Sequence, residues 1–69
     1  MNEIVKNWLE GLINKEIGDV LDDIESRKFW CLKVSDKEVL QIQLDKLSLD
    51  NEYLAALKAL NNRIEREDL

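Results

Sequence analysis

The chain has no histidine, no proline, one cysteine and two glycines in 69 residues. Each shortage closes off a class of protein. Without histidine, neither a serine–histidine nor a cysteine–histidine pair forms, which excludes nucleophilic catalysis of that type. Cys31 has no partner for a disulfide within the chain and no second thiol for a zinc site. Between Trp30 and Leu32 it reads as a small buried hydrophobe rather than a reactive thiol. No apolar run approaches the ~20 residues that cross a bilayer, so no membrane role is expected. Met1-Asn2-Glu3 lacks the basic opening of a secretory signal, and with a lone cysteine this points to the cytoplasm. Basic charge is short as well. Ten Lys and Arg against fifteen Asp and Glu give a net charge of −5. A nucleic-acid binder of this size needs a basic face to displace phosphate counterions, so direct binding to DNA or RNA is not expected.

What remains is a short helical chain without a staple. A protein of this length is one domain (residues 1–69) and buries only about 60% of its unfolded surface. Such domains commonly add a disulfide, a metal or a partner subunit. With a single cysteine and no cofactor or metal site expected, the partner remains, either a second copy in a homodimer or another protein.

The opening segment has strong helical periodicity through Ile4, Val5, Trp8, Leu9, Leu12, Ile13, Ile17, Val20, Leu21 and Ile24. At ~100° per residue, the apolar sides of residues 4–13 and 17–24 point roughly a third of a turn apart. Either the helix bends or breaks near Gly18, or one helix offers apolar surface in two directions, to its own core and to a second subunit. The first is preferred, because glycine costs about 1 kcal/mol inside a helix.

Two further helix starts follow from capping signals. Ser35-Asp36-Lys37-Glu38 has the form of a capping box, flanked by Val34 and Val39 as a hydrophobic staple. Asp50, followed by Asn51 and Glu52, reads as a second N-cap ahead of Tyr53, Leu54, Leu57, Leu60 and Ile64. Residues 29–34 fit no single helical face, and Trp30, Leu32 and Val34 alternate as in a strand. The expected fold is all-α, with three helices over about 3–27, 36–47 and 51–67 and a short strand or loop at 29–34. The alternative is α-ββ-α, in which Leu40, Ile42 and Leu44 form a second strand.

Two short stretches resemble known families. Glu16-Ile17-Gly18-Asp19-Val20-Leu21 resembles the second half-motif, E-x-x-D, of the all-α nucleoside-triphosphate pyrophosphatases of the MazG type. That likeness implies Mg²⁺ and triphosphate binding by Glu16 and Asp19. The family's companion E-E-x-x-E pattern is not supplied by Glu3 and Glu10. Leu44-Asp45-Lys46-Leu47, ahead of Tyr53, is similar to the L-D-x-L stretch of a family of small helical-hairpin phosphatases. Gln41 stands where that family has its serine, so the serine-to-aspartate motif behind the phosphatase role is incomplete.

The expected function is non-enzymatic: a protein-binding or regulatory module such as an inhibitor, adaptor or small chaperone, of a kind common in phages and mobile elements. Trp8 reads as core by its apolar neighbours, yet with Phe29, Trp30 and Leu32 it is also a candidate for partner contact. Glu16, Asp19 and Asp23 share one helical side and would face either solvent or a basic partner. The competing expectations are a Mg²⁺-dependent pyrophosphatase-like fragment built on Glu16 and Asp19, and an acidic mimic of nucleic acid that blocks a DNA-binding protein.

Overall fold

A computed structural model describes residues 2–67. They form two helices, α1 (Glu3–Lys33) and α2 (Lys37–Glu65), folded back on each other as an antiparallel hairpin. Val34, Ser35 and Asp36 make the turn.

The reason for the hairpin lies in which side chains the two helices cover. Along α1, Lys6, Glu10, Ile13, Ile17, Val20, Ile24, Arg27 and Cys31 are buried or half-buried. Along α2 the same holds for Leu40, Gln43, Leu47, Asp50, Leu54, Leu57, Asn61 and Ile64. Both rows advance by alternating steps of three and four, the 3.5-residue repeat of a coiled coil. The core proper is Val20, Ile24 and Leu57, with Ile17, Leu47 and Leu54 packed against it. Ile13 and Ile64 are the other buried apolar residues. Away from this cluster the seam mixes these with polar side chains. Arg27 Nε donates to Asp50 Oδ2 at 2.7 Å, and its Nη1 donates to Gln43 Oε1 at 3.1 Å. Further along, Asn61 Nδ2 donates to Asn14 Oδ1 at 3.4 Å, while the enclosed Asn61 Oδ1 has no partner.

Caps define the helix ends. Asn2 Oδ1 accepts from the Ile4 N–H at 2.8 Å and opens α1. Asp36 Oδ1 accepts from the N–H groups of Glu38 (2.9 Å) and Val39 (3.2 Å) and opens α2. The cap is therefore Asp36, one residue beyond the expected Ser35, because the aspartate's oxygen reaches both free donors.

The expectation of three helices is overturned, and with it the α-ββ-α alternative. The described residues form two helices and no strand. Residues 29–33 continue α1, since Arg27 and Cys31 carry the seam through that stretch. Asp50 is no cap but an interior residue of α2, held by Arg27 across the seam. The helix also runs unbroken through Gly18. A Cβ there, or at Gly11, would meet nothing within 4 Å, and neither glycine has a positive φ. Gly18→Ala is accordingly expected to raise unfolding free energy by about 1 kcal/mol. A thermal melt followed by circular dichroism checks this, and an unchanged or lowered midpoint would mean that the glycine has a packing role.

The hairpin is thin. Its extents are 51 × 16 × 10 Å and its radius of gyration is 15.7 Å, whereas a compact chain of this length has a radius near 11 Å. No helix among the described residues is long and apolar enough to cross a membrane.

Candidate functional site

Two helices share one seam, so most of each helix circumference stays uncovered. Among the described residues fourteen large hydrophobic side chains are exposed and only five are buried, which makes the outer surface the place to look for function. The hydrogen bond from Tyr53 Oη to Glu16 Oε1 (3.3 Å) bridges α2 and α1 and marks one flank of the hairpin. Partial burial, reinforced by the charge of the Glu16 carboxylate and by the hydrogen bond to it, holds the Tyr53 phenol above its ordinary pKa.

Steps of three and four from Tyr53 trace Val39, Ile42, Lys46, Leu49, Tyr53, Ala56 and Leu60 along α2. This second row runs beside the seam row, displaced by roughly a quarter of a turn or more. Its large apolar members are all exposed, Leu49 most of all at 63%. The same steps from Glu16 trace Val5, Leu9, Leu12, Glu16, Asp19, Asp23, Ser26 and Trp30 along α1. The tyrosine flank is thus apolar at the open end of the hairpin (Val5, Leu9, Leu12, Leu60), acidic midway along α1, and apolar again near the turn (Trp30, Val39, Ile42). The opposite flank differs. It carries Asn7, Asn14, Glu25, Lys28, Lys37, Asn51 and Lys58, with Leu21, Leu32 and Leu44 as apolar residues set among them.

The residues singled out from the sequence fall on different surfaces. Trp30 lies on the tyrosine flank with Glu16, Asp19 and Asp23. Trp8 is 62% exposed, which corrects the reading of it as core, because the seam at that level is taken by Lys6 and Glu10. Trp8 and Phe29 occupy one line on the outer side of α1, separated by about 30 Å of helix. The Phe29 ring carries the Lys33 ammonium at 4.3 Å from its centroid. Leu32 is exposed beyond it and, with Glu25 and Phe29, lines a shallow depression open to solvent. Cys31 is a free thiol, half-buried at the turn end of the seam.

Glu16, Asp19 and Asp23 share a side, as their spacing implies, yet the described residues contain no group of three or more acidic or thiol side chains placed to hold a metal ion. The α2 row escaped the sequence reading, which took Leu40, Ile42 and Leu44 as a possible strand and Tyr53 to Ile64 as a single stripe. Its signal was present all the same: positions 39, 42, 46, 49, 53, 56 and 60 precede each seam position by one residue.

Compared with known proteins, the chain matches no family model, no curated protein and no solved structure.

Proposed function

We propose that this protein works by protein–protein contact, as a binding or regulatory module without chemistry of its own. The observation that carries the reading is the ratio of exposed to buried apolar side chains on so thin a fold. Isolated exposed hydrophobes are ordinary, but contiguous apolar surface on a small soluble fold marks an interaction site. Here eight of the fourteen, Val5, Leu12, Trp30, Val39, Ile42, Leu49, Tyr53 and Leu60, fall on one flank, in apolar stretches on either side of the α1 acids. Aromatic side chains are the usual anchors of such contacts, and Trp30 is the one on that flank with most of its surface free. Cytoplasmic action, with an inhibitor or adaptor role, is part of the same proposal.

The test is to identify the binding partner by affinity capture and then rebuild the complex from purified components. Trp30→Ala is expected to weaken it about tenfold or more, while the circular dichroism spectrum and melting midpoint stay close to those of the parent. A chain that forms no complex with any protein, itself included, at high micromolar concentration would end this reading.

A further inference from the structure

We propose that a second copy of this chain covers the tyrosine flank, joining two hairpins into a four-helix bundle with both turns at the same end. This rests on the binding reading above and names the partner and its orientation.

The area fits. The hairpin exposes 5377 Å², whereas a compact monomer of its 8.1 kDa exposes roughly 4,500 Å². The excess, on the order of 900 Å² per chain, is close to the roughly 800 Å² that each partner contributes to a standard stable interface. A four-helix bundle is also what a helix with two adjacent 3.5-residue rows builds, one row for its own hairpin and one for the neighbour.

The two flanks are not equivalent. Asparagines and lysines dominate one, whereas the other has Leu49, Ile42 and Val39 on α2 and Trp30 and Leu12 on α1. Burying the first flank would strand amides and ammonium groups, while burying the second removes apolar surface from water at both ends and leaves its middle acids to be matched by the partner.

Charge then selects the orientation. On this flank the middle of α1 is acidic, through Glu16, Asp19 and Asp23, whereas the charged residues of the α2 row and its extension are basic, Lys46 and Arg63. A two-fold axis running along the bundle lays α1 on the partner's α2, with the acids opposite Tyr53, Leu49 and Lys46 of the partner's α2. The apolar ends then meet their counterparts, open end to open end. An axis across the bundle would instead lay α1 on the partner's α1 and set acid against acid, with Asp19 close to its own copy. Like charges directly opposed across an interface oppose association.

The experiment is sedimentation equilibrium on the full chain, with two variants matched in helix and chemistry. The parent is expected to be a dimer. Leu49→Glu, on the tyrosine flank, is expected to weaken dimerisation by at least about 100-fold while remaining helical. Leu44→Glu, a residue 43% exposed on the asparagine flank, is expected to leave the dimer intact. Ile42→Glu replaces Leu49→Glu if the latter loses its helical spectrum. Orientation is read from a spin label on Ser35→Cys in a Cys31→Ser background. Turns at one end put the two labels far closer together than the 51 Å length of a hairpin, whereas opposed turns separate them by nearly that length. A monomeric parent, a dimer lost in Leu44→Glu but kept in Leu49→Glu, or labels a full hairpin length apart would each overturn the proposal. A monomer that still binds a foreign protein leaves the binding reading standing; one that binds nothing ends both.

Discussion

Ile24→Ala is expected to cost about 2–5 kcal/mol of folding free energy, the range for truncating a buried aliphatic side chain to alanine. Ile24 is 4% exposed and sits in the central cluster with Val20 and Leu57. Domains of this length typically have a total stability of roughly 3–10 kcal/mol, so the substitution removes a large part of it. The effect is large because the seam has no redundancy. Toward the turn the cluster's seam neighbours are Arg27, Asp50 and Gln43, none of which can collapse into the space that two methyls and a methylene leave. The comparison is Leu32→Ala, which removes an exposed side chain of similar size and is expected to change stability by less than about 0.5 kcal/mol. Urea melts of both variants at matched concentration, followed at 222 nm, provide the check. If Ile24→Ala melts with the parent, the folding energy lies somewhere other than this cluster.

The helices were legible in the sequence, but their number was not, and the two boundary errors have one physical cause. Periodicity places apolar residues at the seam and treats charged ones as surface or as caps. At Arg27 and Asp50 the seam is charged, and the two residues are 23 positions apart in the chain. Locally, Arg27 looks like the end of an apolar stripe, and Asp50-Asn51-Glu52 looks like the start of a new helix. Only when the helices are antiparallel and in register do those residues meet, and then both apparent ends become interior positions. The local signals were sounder at the turn, where a capping group was anticipated at Ser35 and is present at Asp36. The apolar residues of 4–13 and 17–24 divide differently from their local grouping: Ile13 joins Val20 and Ile24 in the seam, while Ile4, Val5, Trp8 and Leu12 stay exposed on a helix that does not break at Gly18. The α2 row was harder to see because it adjoins the seam row. Side by side they read as one broad stripe, and only the seam partner shows which half is already covered.

The Arg27–Asp50 pair supplies the second large effect, with a sign that depends on how it is removed. Asp50→Ala leaves the guanidinium half-buried with only Gln43 as a partner and is expected to cost about 1–2 kcal/mol. The side chains are 31% and 25% exposed, so water screens the pair more than a fully enclosed one and keeps the cost below that of Ile24→Ala. Replacing both residues, Arg27→Leu with Asp50→Leu, is expected to restore stability to the parent level or above, because no charge is left desolvated and the new side chains extend the cluster of Val20, Ile24 and Leu57. What the double variant loses is the constraint on register. With Leu at both positions the central seam from Ile13 to position 27 is aliphatic along α1 and a slide by one heptad costs less there, whereas the parent forfeits its ion pair in every shifted register. Urea melts of the two single variants and the double variant give the coupling energy, and an amide proton–nitrogen spectrum reports whether the double variant retains one set of resonances. A stable double variant with a single set would show that the turn and the caps alone fix the alignment. An Asp50→Ala variant as stable as the parent would remove the ion pair from the account of why these helices form one hairpin instead of three shorter elements.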